Sequence, residues 1–489
     1  MRPLSPSWLR WPVLAAWLVV AVWVAALYGH FAVDDFFITY RYAQNLVAGD
    51  GFAFNPGERV FGVTEPAQVL ALAALHRLTG ISIPLLGTLV TAAGLIGLAW
   101  TVAAEERARG REPEALLGGT LVVLLTLFWG CRGAGVMPGL ALLAWAAVAH
   151  ARLPRLAGLA AGCALWFRPE LGLGIALIAV LAWLRERRIP WRFGLAAAGV
   201  VALGAAACWL YFGRVTPITL GAKQLFAAWD PAGRASGRHF WPGFLPLLER
   251  HWGEHRWLFL ALAGAGLPSL FRRAGAALAC LAGLGVALAL AYPLLGVPLF
   301  AWYVIPCVVA VLYGYAFAVG AALRWLAGRL ESWSAGRRRL ALALPLVLLT
   351  LPMVPLVRSL SFAITHPVEP GQFTSYRDAG RWIRQHSEPG QRVAALEVGT
   401  LAYFADRPVV DLLGLVSPSS LEHVRERNVI EALRREPTDF FVLTSGLEGL
   451  IGPVRTLPWF VERYEQAHSL PGEEGQEVWI FRRTGRNGS

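Results

Sequence analysis

Lysine is almost absent from this 489-residue chain: among 44 Lys and Arg there is a single lysine, Lys223. Charge of either sign is scarce too. Asp, Glu, Lys and Arg make up 16% of the residues and hydrophobic side chains 56%, whereas soluble globular proteins carry roughly a quarter charged residues. Most of the chain therefore cannot sit in water, and a length-based count of soluble domains does not apply. Cysteine is also sparse. Cys131, Cys163, Cys208, Cys280 and Cys307 are scattered singly in or beside apolar segments, with no CxxC. Such a pattern supports neither a disulfide framework nor a thiolate metal site, and reads as small buried hydrophobes. There is no GxGxxG, no P-loop and no internal repeat.

What is present is arginine, and with it a net charge of +12. In a soluble protein that balance would suggest nucleic acid. Here the arginines sit between hydrophobic runs, where they set membrane orientation instead. Runs near 11–30, 83–102, 115–130, 136–150, 155–167, 170–184, 193–211, 257–271, 275–295, 302–323 and 340–357 approach the length of about 20 residues that a crossing helix needs. The first is too long for a signal-peptide core and no clean A-x-A site follows, so it reads as an uncleaved anchor. Arg152/Arg155, Arg185 to Arg192, Arg272/Arg273 and Arg324 to Arg339 mark the cytoplasmic side. Segments 31–65, 131–135, 167–170, 212–256 and 296–301 then face outward. The alternation closes only if 66–102 makes one net crossing, which leaves 66–79 as an interfacial helix or half of a re-entrant pair.

The outer segment after the first span opens with Asp34 and Asp35. Phe36, Phe37, Tyr40, Ala43, Leu46 and Val47 follow at helical spacing, and Gly49-Asp50-Gly51 ends the run. Asn55-Pro56-Gly57-Glu58 is a turn. An aspartate at a helix start is commonly an N-cap, and one of the pair is expected to serve as one. Consecutive helix residues face different ways. The other carboxylate, at the hydrocarbon boundary, is then a candidate functional group.

The ordered string Asp34-Asp35-Phe36-Phe37-Ile38-Thr39-Tyr40-Arg41-Tyr42-Ala43-Gln44-Asn45-Leu46, then Gly49-x-Gly51, then Phe54 to Val60, resembles the first outer loop of GT-C superfamily glycosyltransferases. The nearest subgroup contains bacterial membrane arabinofuranosyltransferases and related mannosyltransferase-like proteins. Phe167-Arg168-Pro169-Glu170, Thr216 to Lys223, and Trp302-Tyr303 with Pro306 echo later motifs of that subgroup. Two stretches depart from it: Val63-Thr64-Glu65-Pro66-Ala67-Gln68 lacks a Trp, and Gly135-Val136-Met137-Pro138 lacks a Glu.

The resemblance implies a mainly α, polytopic bundle of about 11 spans over 1–365. A small extracytoplasmic α/β domain over 366–489 completes it. It implies transfer of a sugar from a polyprenyl-phosphate donor to a hydroxyl of a glycan or lipid-linked acceptor. The reaction would lie at the outer face of the bacterial cytoplasmic membrane, among membrane lipids. A carboxylate there suits a base, because desolvation raises its basicity. Asp34 and Asp35 are both candidates. Lys223, Arg168 and Arg41 are the cations for the donor phosphate, and Glu170, Tyr303, Tyr42 and Glu65 the substrate contacts. Plainer readings exist: a snorkelling lysine for Lys223, a helix-end ion pair for Arg168 and Glu170, an ordinary interfacial aromatic for Tyr303. His251 and His255 flank Glu254, but the order is not His-Glu-x-x-His and no further ligand stands out, so they read as solvated loop histidines rather than metal ligands. Use of a divalent cation stays open, since some GT-C enzymes need one.

Past about 370 the chain turns polar. Helices are expected over 375–387 and 428–435, and strands over 392–396, 409–412, 439–443 and 477–482, an alternation that gives a small α/β domain. Glu397, Gly399 and Asp411 to Leu415 resemble the tail domain of the same subgroup. A transporter or lipid-handling permease is the competing class, and a non-catalytic scaffold of the same fold the third. Paired repeats with midplane charges would favour a transporter; here the ionisable residues gather at one face.

Overall fold

Each apolar run from 11–30 to 302–323 coincides with helix in the computed structural model of the chain. The structure describes residues 10–227, 240–295, 300–331, 372–472 and 475–485, with a few positions between 333 and 361. The expected span 340–357 and the expected domain boundary at 365 lie outside the described residues. In chain order the helices are α1 (Arg10–Tyr28), α2 (Asp34–Ala48), α3 (Pro66–Thr79), α4 (Ile83–Arg107), α5 (Glu112–Leu124), α6 (Thr126–Gly130), α7 (Val136–Ala149) and α8 (Pro154–Phe167). They continue with α9 (Gly172–Glu186), α10 (Trp191–Phe212), α11 (Ile218–Ala227), α12 (Phe240–Trp252), α13 (Arg256–Arg273), α14 (Ala276–Leu295) and α15 (Ala301–Arg329). Among the described residues, α1, α4, α10, α14 and α15 are long and apolar enough to cross a membrane. Their outer surfaces carry bare Val19, Val22, Leu203, Leu210, Leu290 and Leu294, a surface that suits lipid and not water. The chain is a multi-pass membrane protein. One expected span, 115–130, is interrupted: Leu125 is extended (φ −69°, ψ 116°) and separates α5 from α6.

Small residues let these helices approach. Gly158 and Gly162 on α8 face α10; a Cβ at Gly158 would stand 2.3 Å from the Phe193 carbonyl oxygen. Without a hydrophobic drive inside lipid, such close contact is what holds helices together. The segment 66–79 is a separate helix, α3. At about 21 Å it is too short to cross a core about 30 Å thick, and after Gly80 (φ 69°) the chain turns into α4.

The polar region folds around a five-stranded sheet. Its elements include α16 (Gln372–His386), β1 (Val393–Ala395), α17 (Gly399–Ala405), β2 (Val409–Asp411), β3 (Phe440–Thr444), β4 (Tyr464–Pro471) and β5 (Glu477–Arg483). The order is β2-β1-β3-β5-β4, with β1 parallel to β2 and β3, and β5 antiparallel to β3 and β4. Four of these strands match the expected runs. β4 does not: Glu465, Gln466 and Ala467 are exposed, so the strand carries no apolar alternation to read.

This sheet unit rests on α2 and the segment after it. The Asp34 carboxylate accepts the N–H groups of Gly399 (3.0 Å) and Thr400 (2.7 Å). Arg41 donates to Asp406 at 2.6 Å. Asn55 makes two bonds with the backbone of Val409, donating to its oxygen (2.9 Å) and accepting from its N–H (2.8 Å). Gly399 is required by the contact itself, because a Cβ there would fall 1.9 Å from the Asp34 carbonyl oxygen.

Gly399→Ala should therefore destabilise the protein by about 1–3 kcal/mol through overpacking against α2. Gly390→Ala, where a Cβ meets open space, should stay within about 0.5 kcal/mol. Thermal unfolding of both variants in detergent compares them; equal midpoints would refute the close-contact account.

Candidate active site

Asp34 and Asp35 begin α2 directly after Val33, the N-cap residue, which is extended and makes no side-chain cap bond. Successive helix residues diverge by about 100°, and here the divergence separates two roles. Asp34 caps no turn of its own helix, contrary to the expectation for one of the pair. It points to α17 and uses both oxygens on that helix's first N–H groups. Burial pushes its carboxyl up, and the two N–H bonds only partly pull it back. Asp35 points the other way, into a cleft, where its carboxylate accepts a 2.8 Å hydrogen bond from the Lys223 ammonium.

The cleft gathers residues from five distant stretches of sequence. Asp35 and Thr39 come from α2, Thr64 and Glu65 from the segment before α3, Arg168 from the α8 end, Thr219 and Lys223 from α11, and Trp302 and Tyr303 from α15. Leu415 of the C-terminal unit also lines it. The Thr219 hydroxyl donates to the Gly62 carbonyl at 2.6 Å, which fixes α11 against the wall. The space is narrow, about 30 Å³, room for roughly one or two waters.

Two cations dominate the electrostatics. Arg168 is 3% exposed and bound on two sides: Nη1 donates to Glu65 at 2.7 Å and Nε to Glu170 at 2.8 Å. Burial opposes its charge, but the two carboxylates more than restore it. Tyr303 lies beneath, its ring centre 5.3 Å from the guanidinium carbon. Glu65 also accepts the Gly135 N–H at 2.9 Å, and burial pushes its carboxyl up despite these partners. The two stretches that depart from the subgroup motifs thus meet each other. Lys223 stands 4.4 Å from the Phe300 ring centre and 5.2 Å from that of Trp302. Burial pulls its ammonium down, Asp35 pulls it up, and the balance is upward. A buried charge must be paired; each cation here is, and it can exchange a carboxylate for a phosphate without becoming bare.

Of the residues singled out from sequence, Asp35, Glu65, Arg168, Lys223 and Tyr303 line the cleft, and Glu170 reaches it through Arg168. Three do not line it. Asp34 faces α17. Arg41 is buried against Gln44, Asp406 and the Phe54 carbonyl. The Tyr42 hydroxyl donates to Val60 and accepts from Gly62, so it braces the wall from behind. Sequence reasoning missed Thr219 and Leu415 as lining residues, although both lie inside motif stretches already noted. His251 is buried beside Thr126, not solvated, whereas His255 and Glu254 are exposed. Among the described residues no group of three or more His, Cys, Asp or Glu is placed to hold a metal ion. Four cysteines are buried and Cys163 is exposed on α8.

The architecture has counterparts among solved structures. ArnT from Cupriavidus metallidurans bound to undecaprenyl phosphate aligns with a TM-score of 0.58 at 14% identity, over 97% of this chain and 98% of that one. The oligosaccharyltransferase of Archaeoglobus fulgidus, tethered with an acceptor peptide containing the NVT sequon, aligns with a TM-score of 0.58 at 13% identity, over 99% and 74%. This is the GT-C fold. At such identity the likeness is one of GT-C architecture, and it includes both the helical bundle and the C-terminal unit. A family model described as a domain of unknown function, DUF8728, matches residues 368–483. No curated protein matches the chain.

The Asp35–Lys223 pair has a direct chemical readout. A water-soluble carbodiimide should join the two side chains as an amide, and the chain's single lysine makes the product unambiguous. Mass spectrometry should find the crosslink in the native protein and in Asp34→Asn, and lose it in Asp35→Asn. A crosslink from Lys223 to any other carboxylate would contradict the geometry.

Proposed function

We propose that this protein is a membrane glycosyltransferase that moves a sugar from a polyprenyl-phosphate donor to an acceptor hydroxyl. The observation that carries the reading is the contact of Asp35 with Lys223 inside the cleft, beside Arg168. A base and a phosphate-binding cation are the two groups this transfer needs, and they stand 2.8 Å apart. The ordered run from Asp34 to Val60 supports placement near the arabinofuranosyltransferase subgroup. The alternation of arginines supports a cleft and C-terminal unit on the outer face of the bacterial cytoplasmic membrane.

The donor phosphate takes Lys223 from Asp35, and the released carboxylate oxygen accepts the acceptor's hydroxyl proton. The acceptor oxygen then bonds to the anomeric carbon as the bond from that carbon to the phosphate oxygen breaks. Its electron pair stays on the phosphate, which leaves as polyprenyl phosphate with one more negative charge. Lys223 offers a point charge to that oxygen, and Arg168 the remaining edge of a planar fork. One displacement with one base inverts the anomeric centre. Glu65 and Glu170 hold Arg168 in place, and Tyr303 supports it from below. For the lipid tail, an apolar cavity of about 520 Å³ lies between α3, α8 and α10. Pro66, the residue after Glu65, is among its lining residues.

The test is transfer from a panel of polyprenyl-phosphate sugars by purified protein. Asp35→Asn should lower the rate by about 10²–10⁴-fold, the usual contribution of a positioned base. Asp34→Asn should lower the rate less than Asp35→Asn, because its amide oxygen still accepts one N–H of α17 while its NH2 group faces the other. Equal activity of wild type and Asp35→Asn would remove Asp35 from the base role. Absence of transfer from every donor would favour a permease or a scaffold.

A further inference from the structure

On the face opposite the cleft, where α1 begins and α4 ends, lies a second polar cavity. It measures about 110 Å³ and is lined by Arg10, Trp100, Ala103, Ala104, Arg107 and Glu112. Two buried atoms on its residues have no hydrogen-bond partner among the described residues, Arg10 Nε and Glu112 Oε2. Arg107 Nε is 3.8 Å from that Glu112 oxygen, beyond hydrogen-bonding distance. Buried polar groups are ordinarily satisfied, so a donor and an acceptor left open in one cavity point to a ligand that carries both kinds of group.

The cavity continues into an apolar groove. This groove, about 500 Å³, runs between Leu14, Leu18 and Val22 of α1 and Leu89, Ala93 and Ile96 of α4, and meets the polar cavity at Trp100. From Leu89 to Trp100 it follows α4 for about 16 Å, close to the depth of one leaflet of a hydrocarbon core about 30 Å thick. Trp100, shared by the groove and the polar cavity, stands with its ring centre 5.7 Å from that of Trp11, and indoles mark the level of lipid headgroups. The groove exists because Ala92, Ala93 and Gly97 leave α4 thin opposite α1.

We propose that this site binds a phospholipid with a phosphoethanolamine headgroup, one acyl chain lying in the groove between α1 and α4. Arg10 and Arg107 hold the phosphate, as paired guanidiniums between membrane helices do. Glu112 Oε2 accepts from the ammonium. Glu112 separates this zwitterion from phosphatidylglycerol: both lipids offer the arginines one phosphate and both carry a donor, but the ethanolamine donor is a charged ammonium and the glycerol donors are neutral hydroxyls, and a charge-assisted bond to a carboxylate is the stronger. Nothing in the site depends on the reaction assigned to the cleft on the other face.

The test is native mass spectrometry of full-length protein, exchanged into detergent and offered equal amounts of phosphatidylethanolamine, phosphatidylglycerol and phosphatidylcholine with the same acyl chains. Wild type should retain phosphatidylethanolamine about tenfold over either competitor. The double variant Arg10→Gln with Arg107→Gln should lose that retention about tenfold. Glu112→Gln should erase the preference for phosphatidylethanolamine over phosphatidylglycerol. Ala93→Phe, at an exposed position in the groove, should weaken retention without altering any charge. Equal retention of the three lipids by wild type, or a preference for phosphatidylglycerol, would overturn the assignment without recourse to any variant. So would undiminished retention in the double arginine variant.

Discussion

The hydrogen bonds that Asp34 accepts from Gly399 and Thr400 join positions 365 and 366 residues apart, and the placement of the site depends on them. They hold the first turn of α2 against the C-terminal unit. That contact fixes the direction in which the next residue, Asp35, leaves the helix. It also brings the loop carrying Leu415 over the cleft. Two adjacent aspartates on one helix turn thus act in different media: one is sealed among backbone N–H groups, the other opens on a polar cleft. The buried Asp34 carboxyl is raised by desolvation, yet geometry and not acidity decides which of the two opens on the cleft.

Within the cleft the governing constraint is charge compensation. Arg168 is too deeply buried to remain without a counter-ion, since an uncompensated buried charge costs about 3–5 kcal/mol. Glu65 and Glu170 supply that compensation and fix the plane of the guanidinium. Among the described residues Lys223 has a single carboxylate partner and two aromatic neighbours. The two cations therefore differ in how readily they change partner: Arg168 is clamped, Lys223 is held by one bond and a pair of ring faces. A compact ammonium on a flexible stem suits the second situation, and a planar fork the first.

Much of this was legible in the sequence, because the relevant signals are local. Apolar run length gave the helices, Gly49 and Gly57 gave the end of α2 and the turn after Asn55, and the motif strings brought Asp35, Arg168, Lys223 and Tyr303 to one cleft. What the sequence withheld depends on contacts between distant residues. Nothing in the string around Asp34 says that its partner is the first turn of α17. Arg41 and Tyr42 sit in the same matched string as Asp35 but on other faces of α2, so shared membership of a motif misplaced them. β4 was unreadable because its side chains are largely exposed, and the break at Leu125 because the residues on both sides are equally apolar.

Asn55 carries a consequence beyond the cleft. Its side-chain amide offers one donor and one acceptor to the backbone of Val409, as a neighbouring strand would. Val409 begins β2, the outermost strand on that side of the sheet, and an open strand edge is a template for pairing with another chain. The segment after α2 thus caps that edge at its first residue. Severed from the bundle, the C-terminal unit would present this edge bare, with the start of α17 uncapped beside it, and such units would tend to associate edge to edge. The same short segment that shapes the cleft also covers the start of that sheet edge.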